Sequence, residues 1–169
     1  MKKLKAIYYV IYTAVILCGI GLDQLSKLLA VKLLEPVGSV PLWSGVLHLT
    51  YVENKGAAFG MLADNRWVFM SISTVAIIAI AIYLYSGRST GKLFNSGLTL
   101  IVSGGIGNMI DRLALGYVVD FIDFALIDFA VFNIADSFVC IGAGLLILSL
   151  ILDIIKEAKL EKSKKAQKK

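Results

Sequence analysis

The chain has 169 residues, 58% of them hydrophobic and 17% charged, with a net charge of +5. Soluble domains run at about 45–50% apolar and about 25% charged, so this balance excludes an ordinary water-soluble enzyme and indicates an integral membrane protein. The positive charge does not indicate nucleic acid, because the basic residues gather at the two ends rather than along an aromatic-studded stripe.

The first apolar run, Ile7–Leu22, is extended by an amphipathic turn through Asp23 and Lys27, and predicts a span over about 7–27. Its basic start and short core resemble a signal peptide, but no small-x-small cleavage site follows. In VILC (Val15–Cys18), Leu17 stands where a lipoprotein cleavage box needs a small residue. Residues 33–66 then read as a soluble insert on the outer side, its β part over about 33–62. Within it, VLHLTYV (Val46–Val52) has strand propensity, and Val37–Trp43 is the expected partner strand. Asn54-Lys55-Gly56 reads as a turn.

A second span is expected over 67–85 and a third over 93–112, the latter interrupted by Asn95, Ser96, Ser103 and Asn108 and rich in glycine. Such a segment suits the inside of a bundle. The following loop, Leu113–Asp128, is so apolar that it is expected to lie in the membrane interface. A fourth span is expected over 131–153, and residues 156–169 read as a solvated basic tail against anionic lipid heads. The fold class is therefore an all-α membrane protein of four transmembrane helices with a small extracytoplasmic β-sheet, one domain over 1–169. Twelve of the seventeen Lys and Arg fall on the side that holds both termini, which predicts cytoplasmic termini.

Cys18 and Cys140 both lie in apolar runs and are expected to be buried free thiols. The single histidine, His48, lies outside the spans, which excludes an HExxH zinc site and an intramembrane serine protease with a histidine base.

The polar residues near the outer ends of the spans are the informative ones: Asp23, Asn54, Asn108, Asp111, Arg112, Asp120, Asn133 and Asp136. A carboxylate at the centre of a membrane helix costs ~2.5–3.5 kcal/mol on insertion scales. Asp136, seven residues past Phe129, is expected about 10 Å along the fourth span at 1.5 Å per residue. Asn108 shares a face with Asp111 and Arg112, and Asn133 with Asp136. Several of these have structural readings: Asp111 as an ion pair with Arg112, Asp23 as a cap on the bundle, Asn133 as a partner for backbone groups, and Lys27 as a snorkelling cation. Asp120 and Asp136 sit among apolar neighbours with no basic residue between them in sequence. Two such carboxylates call for one shared proton or a bound cation. With one proton, the charged member can deprotonate water while the neutral one polarises a carbonyl, as in aspartic proteases.

The blocks DQLSK (Asp23–Lys27), NKGAAFG (Asn54–Gly60), GGIGNMIDR (Gly104–Arg112), VVDF (Val118–Phe121) and FNIADS (Phe132–Ser137) closely resemble those of bacterial lipoprotein signal peptidase, the signal peptidase II family. The resemblance implies a four-helix bundle with a β-cradle, and an aspartic endopeptidase that cuts prolipoproteins just before a diacylglyceryl-modified cysteine. It implies Asp120 and Asp136 as the catalytic dyad, and Asn54, Gly56, Asn108, Arg112 and Asn133 as residues that hold substrate or shape the pocket. Asp23, Lys27 and Asp111 would support the site, and a loop near Phe59 would close over it. It further implies no cofactor and no metal, prolipoprotein and membrane-lipid partners, a monomer, and a site near the outer face of the bacterial inner membrane. The chain departs from the family where Ala130 replaces a frequent proline, and in a short, apolar segment between the aspartates. The alternatives are a small ion- or proton-coupled transporter using the aspartates as a relay, and a non-enzymatic scaffold. Against the transporter, no internal repeat is visible and the carboxylates lie toward one face.

Overall fold

Away from water a backbone must satisfy its own polar groups, and long apolar runs do so as helices. The computed structural model describes residues 2–56, 66–88 and 91–167. Its helices are α1 (Lys2–Leu34), α2 (Arg66–Tyr85), α3 (Lys92–Ala114) and α4 (Ile134–Gln167). Among the described residues there are also three strands, β1 (Ser39–Trp43), β2 (Leu47–Asn54) and β3 (Val118–Asp123), and a 3-10 turn at Ala125–Ile127. Among the described residues, Ala6–Leu34, Lys92–Ala114 and Ile134–Ala166 are long and apolar enough to cross a membrane, and Met70–Tyr85 is a shorter apolar stretch.

α1 runs two turns past its expected end, because LLAVKLL after Lys27 is made of helix formers. It stops where Pro36 disfavours the α region at Glu35. Gly38, at φ +77°, then closes the turn by donating to the carbonyl of Leu34 at 2.7 Å. α4 starts later than expected, at Ile134, and stays helical through its lysine-rich end to Gln167. Lys, Glu, Ala and Leu all favour helix, so the basic tail is a helical extension rather than a separate coil.

α3 is the central element. Half of its most apolar stretch is buried, against 17% in α1 and 11% in α4. Small residues allow that burial. Gly97 and Gly142 lie back to back, and a Cβ on either would come within 2.7 or 2.6 Å of the other's carbonyl oxygen. Ile16, Leu84, Leu98 and Val102 fill the space among α1, α2 and α3. Cys18 and Cys140 are free as expected, but they face outward from the bundle rather than inward.

The sheet is antiparallel in the order β1-β2-β3. β1 and β2 form the expected hairpin, with Ser39 opposite Thr50. β3 corrects the reading of residues 113–128 as a loop lying in the interface. It pairs with β2, Val52 opposite Asp120 and Asn54 opposite Val118. Val118–Phe121 are all buried, so VVDFID lacks the polar alternation that marks a half-exposed strand. Val119 and Phe121 pack on Ala30 and Leu34, which fastens the sheet to the last turns of α1.

Candidate active site

The turn into α4 builds the site. Phe121 and Ile122 both donate their N–H to the carbonyl of Phe132, at 3.0 and 2.8 Å, and Phe132 N–H returns a bond to Ile122 at 3.0 Å. This bridge pins Asn133 beside β3, one residue ahead of the helix. Asn133 Oδ1 accepts the Asp136 N–H at 2.9 Å, and Asp136 Oδ2 accepts the Asn133 N–H at 3.1 Å. The reciprocal pair is a capping box, which satisfies two otherwise orphaned donors at the start of α4. A backbone N–H can only donate, so the Asn133 amide must turn its oxygen to Asp136 and its NH2 elsewhere. That NH2 donates to Asp120 Oδ1 at 2.6 Å. One asparagine thus caps the helix and joins the two carboxylates.

The remaining carboxylate oxygens also meet amides. Asn54 Nδ2 donates to Asp120 Oδ2 at 2.8 Å, and its own oxygen accepts the Gly56 N–H at 3.0 Å. Asn108 Nδ2 donates to Asp136 Oδ1 at 2.7 Å. All four oxygens therefore accept from neutral donors. Asp120 is 1% exposed, while Asp136 is only partly buried and keeps an approach from outside. Burial pushes the Asp120 carboxyl up to about 6; the Asn54 hydrogen bond opposes the rise and the neighbouring Asp136 charge adds to it. Arg112 donates to the carbonyl of Gly56 at 3.2 Å and so ties the end of β2 to α3.

Behind this layer lies a second one. Lys27 is 3% exposed, with Nζ 2.9 Å from Asp23 Oδ2 and 3.0 Å from Asp111 Oδ2. Asp23 Oδ1 accepts the Ala135 N–H of α4 at 3.0 Å, and Asp111 Oδ2 accepts the Val119 N–H of β3 at 3.1 Å. Gln24 Nε2 reaches Asp111 Oδ1 at 2.8 Å and the carbonyl of Gly107 at 3.2 Å. Gly107 must be glycine, since a Cβ there would stand 2.5 Å from Asp23 Oδ2. The cluster joins α1, α3, α4 and β3. It meets the first layer at Asn108, whose Oδ1 accepts from Lys27 at 2.9 Å and from Asn133 at 3.0 Å.

Asn54, Gly56, Asn108, Arg112, Asp120, Asn133 and Asp136 thus share one network, with Asp23, Lys27 and Asp111 behind it. Phe59 lies outside the described residues. Two structural readings are corrected. Asp111 takes its cation from Lys27 on α1 and not from its sequence neighbour Arg112. Lys27 does not snorkel; it is buried between two carboxylates. Asp136 also lies nearer the helix start than its distance from Phe129 implied, because α4 begins at Ile134 and puts Asp136 in the first turn. Sequence reading passed over Gln24, although its place beside Asp23 in DQLSK was a signal, and it passed over β3, the strand that holds Asp120.

Two carboxylates joined by one amide, with the charge of Asp136 adding to the rise at Asp120, suit general acid–base chemistry on a water. Among the described residues, no group of three or more His, Cys, Asp or Glu is arranged to hold a metal ion.

A model of the family described as signal peptidase (SPase) II matches residues 15–152, which enclose both layers. The lipoprotein signal peptidase of Clostridioides difficile is 43% identical over 141 residues, 83% of this chain and 95% of that protein. That of Caldanaerobacter subterraneus is 51% identical over 74% of this chain and 85% of its own length, and that of Halalkalibacterium halodurans 41% over 95% and 99%. A bacterial membrane enzyme solved by the in meso method at 2.3 Å superposes with a TM-score of 0.77 at 31% identity, over 85% of this chain and 88% of that one. This chain belongs to the signal peptidase II family.

Proposed function

We propose that Asp120 and Asp136 are the catalytic pair of an aspartic endopeptidase that removes the signal peptide from lipoprotein precursors. The observation that carries this reading is the bridge by Asn133. It holds two carboxylates on one asparagine, and burial together with the charge of Asp136 favours a proton kept on Asp120, so the pair has one proton to work with. The ionised member takes a proton from water as the water attacks the scissile carbonyl. The neutral member gives its proton to the carbonyl oxygen. Collapse of the resulting diol returns a proton to the leaving amine, with no covalent intermediate. Arg112 and Asn54 orient the substrate backbone, and the partly open side of Asp136 admits it.

The substrate is a prolipoprotein whose cysteine carries a diacylglyceryl group, cut just before that cysteine. Four spans, with α2 as the shortest, keep both termini in the cytoplasm and raise the sheet on the outer face. The signal helix then stays in the bilayer while its end reaches the site, and the protein works as a monomer. The transporter alternative has no support among the relatives, which carry the name of a peptidase.

The test is cleavage of a diacylglyceryl prolipoprotein by purified Asp120→Asn and Asp136→Asn. Loss of cleavage in both, with thermal unfolding intact, supports the pair. Near-normal turnover in either removes it. Inhibition by chelators would favour the bound-cation version, and proton or ion flux without cleavage would favour the transporter.

A further inference from the structure

The two layers of polar residues touch at Asn108, and the chemistry of that contact is directional. The Asn108 side chain could present either its oxygen or its NH2 to Asp136, since the two ends have nearly the same shape. Only the NH2 end can bond a carboxylate. What fixes the choice is the group on the opposite side. Lys27 Nζ lies 2.9 Å from Asn108 Oδ1. An ammonium has three donors and no acceptor, so it tolerates only the oxygen. Asn133 Nδ2 adds a second donor to that oxygen at 3.0 Å, but a charged donor makes a bond roughly twice as strong as a neutral one. Lys27 is itself immobile. It is 3% exposed and held by Asp23 and Asp111, each of which is fixed by a backbone N–H of a different element.

We propose that Lys27 is a positioning residue of the reaction: through Asn108 it holds an amide donor on Asp136 Oδ1, and so fixes the orientation of that carboxylate toward the water. This rests on Asp136 being one of the catalytic pair. Lys27 does not touch substrate, so its loss should lower kcat and leave KM nearly unchanged.

The test is a mutant cycle read by prolipoprotein cleavage. Lys27→Gln is combined with Asp23→Asn, which keeps the net charge of the buried cluster and leaves an oxygen for the Ala135 N–H. The two new amides can pair with each other, and Asn108 Oδ1 is then left with the neutral donor of Asn133 alone. We expect kcat to fall roughly ten- to a hundredfold, the worth of a hydrogen bond to a charged group, with KM within about threefold. Adding Asn108→Ala to this pair should cost nothing beyond Asn108→Ala alone, because both changes remove the same donor. Losses that multiply, or an unchanged kcat, would overturn the proposal and leave Lys27 a staple of the bundle.

Asn108→Ala alone guards against a misfolded pair. It leaves the ion pairs of Lys27 in place but offers Asp136 no donor, so kcat should fall with folding confirmed by thermal unfolding; normal kcat here also overturns the proposal. Asp120→Asn and Asp136→Asn, assayed in parallel, separate the two failures. If they are active, the catalytic pair itself is wrong. If they are inactive and Lys27 is silent, only the positioning role is wrong.

Discussion

Two clusters of carboxylates lie in adjacent layers and are built by opposite rules. Asp23 and Asp111 share a fully buried ammonium, and each also accepts a backbone N–H. A cation lies against each of them and their oxygens are taken up by donors, which suits them to holding helices together. Among the described residues, the hydrogen bonds to Asp120 and Asp136 come from side-chain amides and a capping N–H. Their hydrogen bonds fix position without cancelling charge. With Asp120 and Asp136 as the proposed catalytic pair, the same residue type is a staple when given a cation and a reactive group when held by neutral donors. A pair of acids needs a labile proton to catalyse hydrolysis, and an ion pair would remove it.

Mutations that exchange these properties should break the comparison. The largest effect is expected at the amide-held pair: Asp120→Asn or Asp136→Asn should lower kcat on the order of 10³-fold, the scale of lost general acid–base catalysis, measured as prolipoprotein cleavage. In the ion cluster the same kind of change should act on stability instead. Lys27→Met leaves two buried carboxylates without a cation and should cost ~3–5 kcal/mol, read as a lower unfolding midpoint in detergent. Asn133→Ala tests the residue that serves both purposes. It removes a helix cap worth about 1 kcal/mol and the bridge between the acids, so unfolding temperature and kcat should fall together. Arg112→Lys should have a smaller effect, a KM raised by about tenfold or less, because lysine keeps the charge but loses the fork that reaches Gly56.

The smallest effect is a pH slope. Burial raises Asp120 from 3.8 to about 6 in the folded state. The folded protein therefore binds more protons than the unfolded chain between those values. The stability that neutral Asp120 provides is fully present below 3.8 and is lost as pH rises through about 6. Asp120→Asn should flatten the decline in unfolding free energy over this window. An unchanged slope would show that the decline comes from other groups.

Much of the site was legible because its residues cluster in short blocks. Asn133 and Asp136 are three apart and share a helix face, and so are Asn108 and Asp111. That spacing paired Asn133 with Asp136, as the fold does, but set Asn108 beside Asp111, whereas its amide donates to Asp136. The blocks from DQLSK to FNIADS identified the family, and the similarity to the curated peptidases bears this out. The two corrected partnerships, Asp111 with Arg112 and Lys27 with the membrane surface, both arose from treating a residue by its neighbours in sequence. The folded chain pairs Lys27 with Asp111 across two helices.

The sequence by itself determined that this is a membrane protein built of apolar helices, and which polar residues those helices carry at one end. Helices and their faces follow from local periodicity and from the cost of unsatisfied backbone in lipid, both of which are written in consecutive residues. Only the tertiary structure decided which donor each carboxylate meets. Asp120 reaches Asn54 because β3 pairs with β2, across 66 residues of chain. Asp23 caps α4 because Gly107 lets α1 close on α3, 112 residues before the N–H it accepts. Hydrogen bonds and charge pairing depend on distance in space, and no local pattern records it.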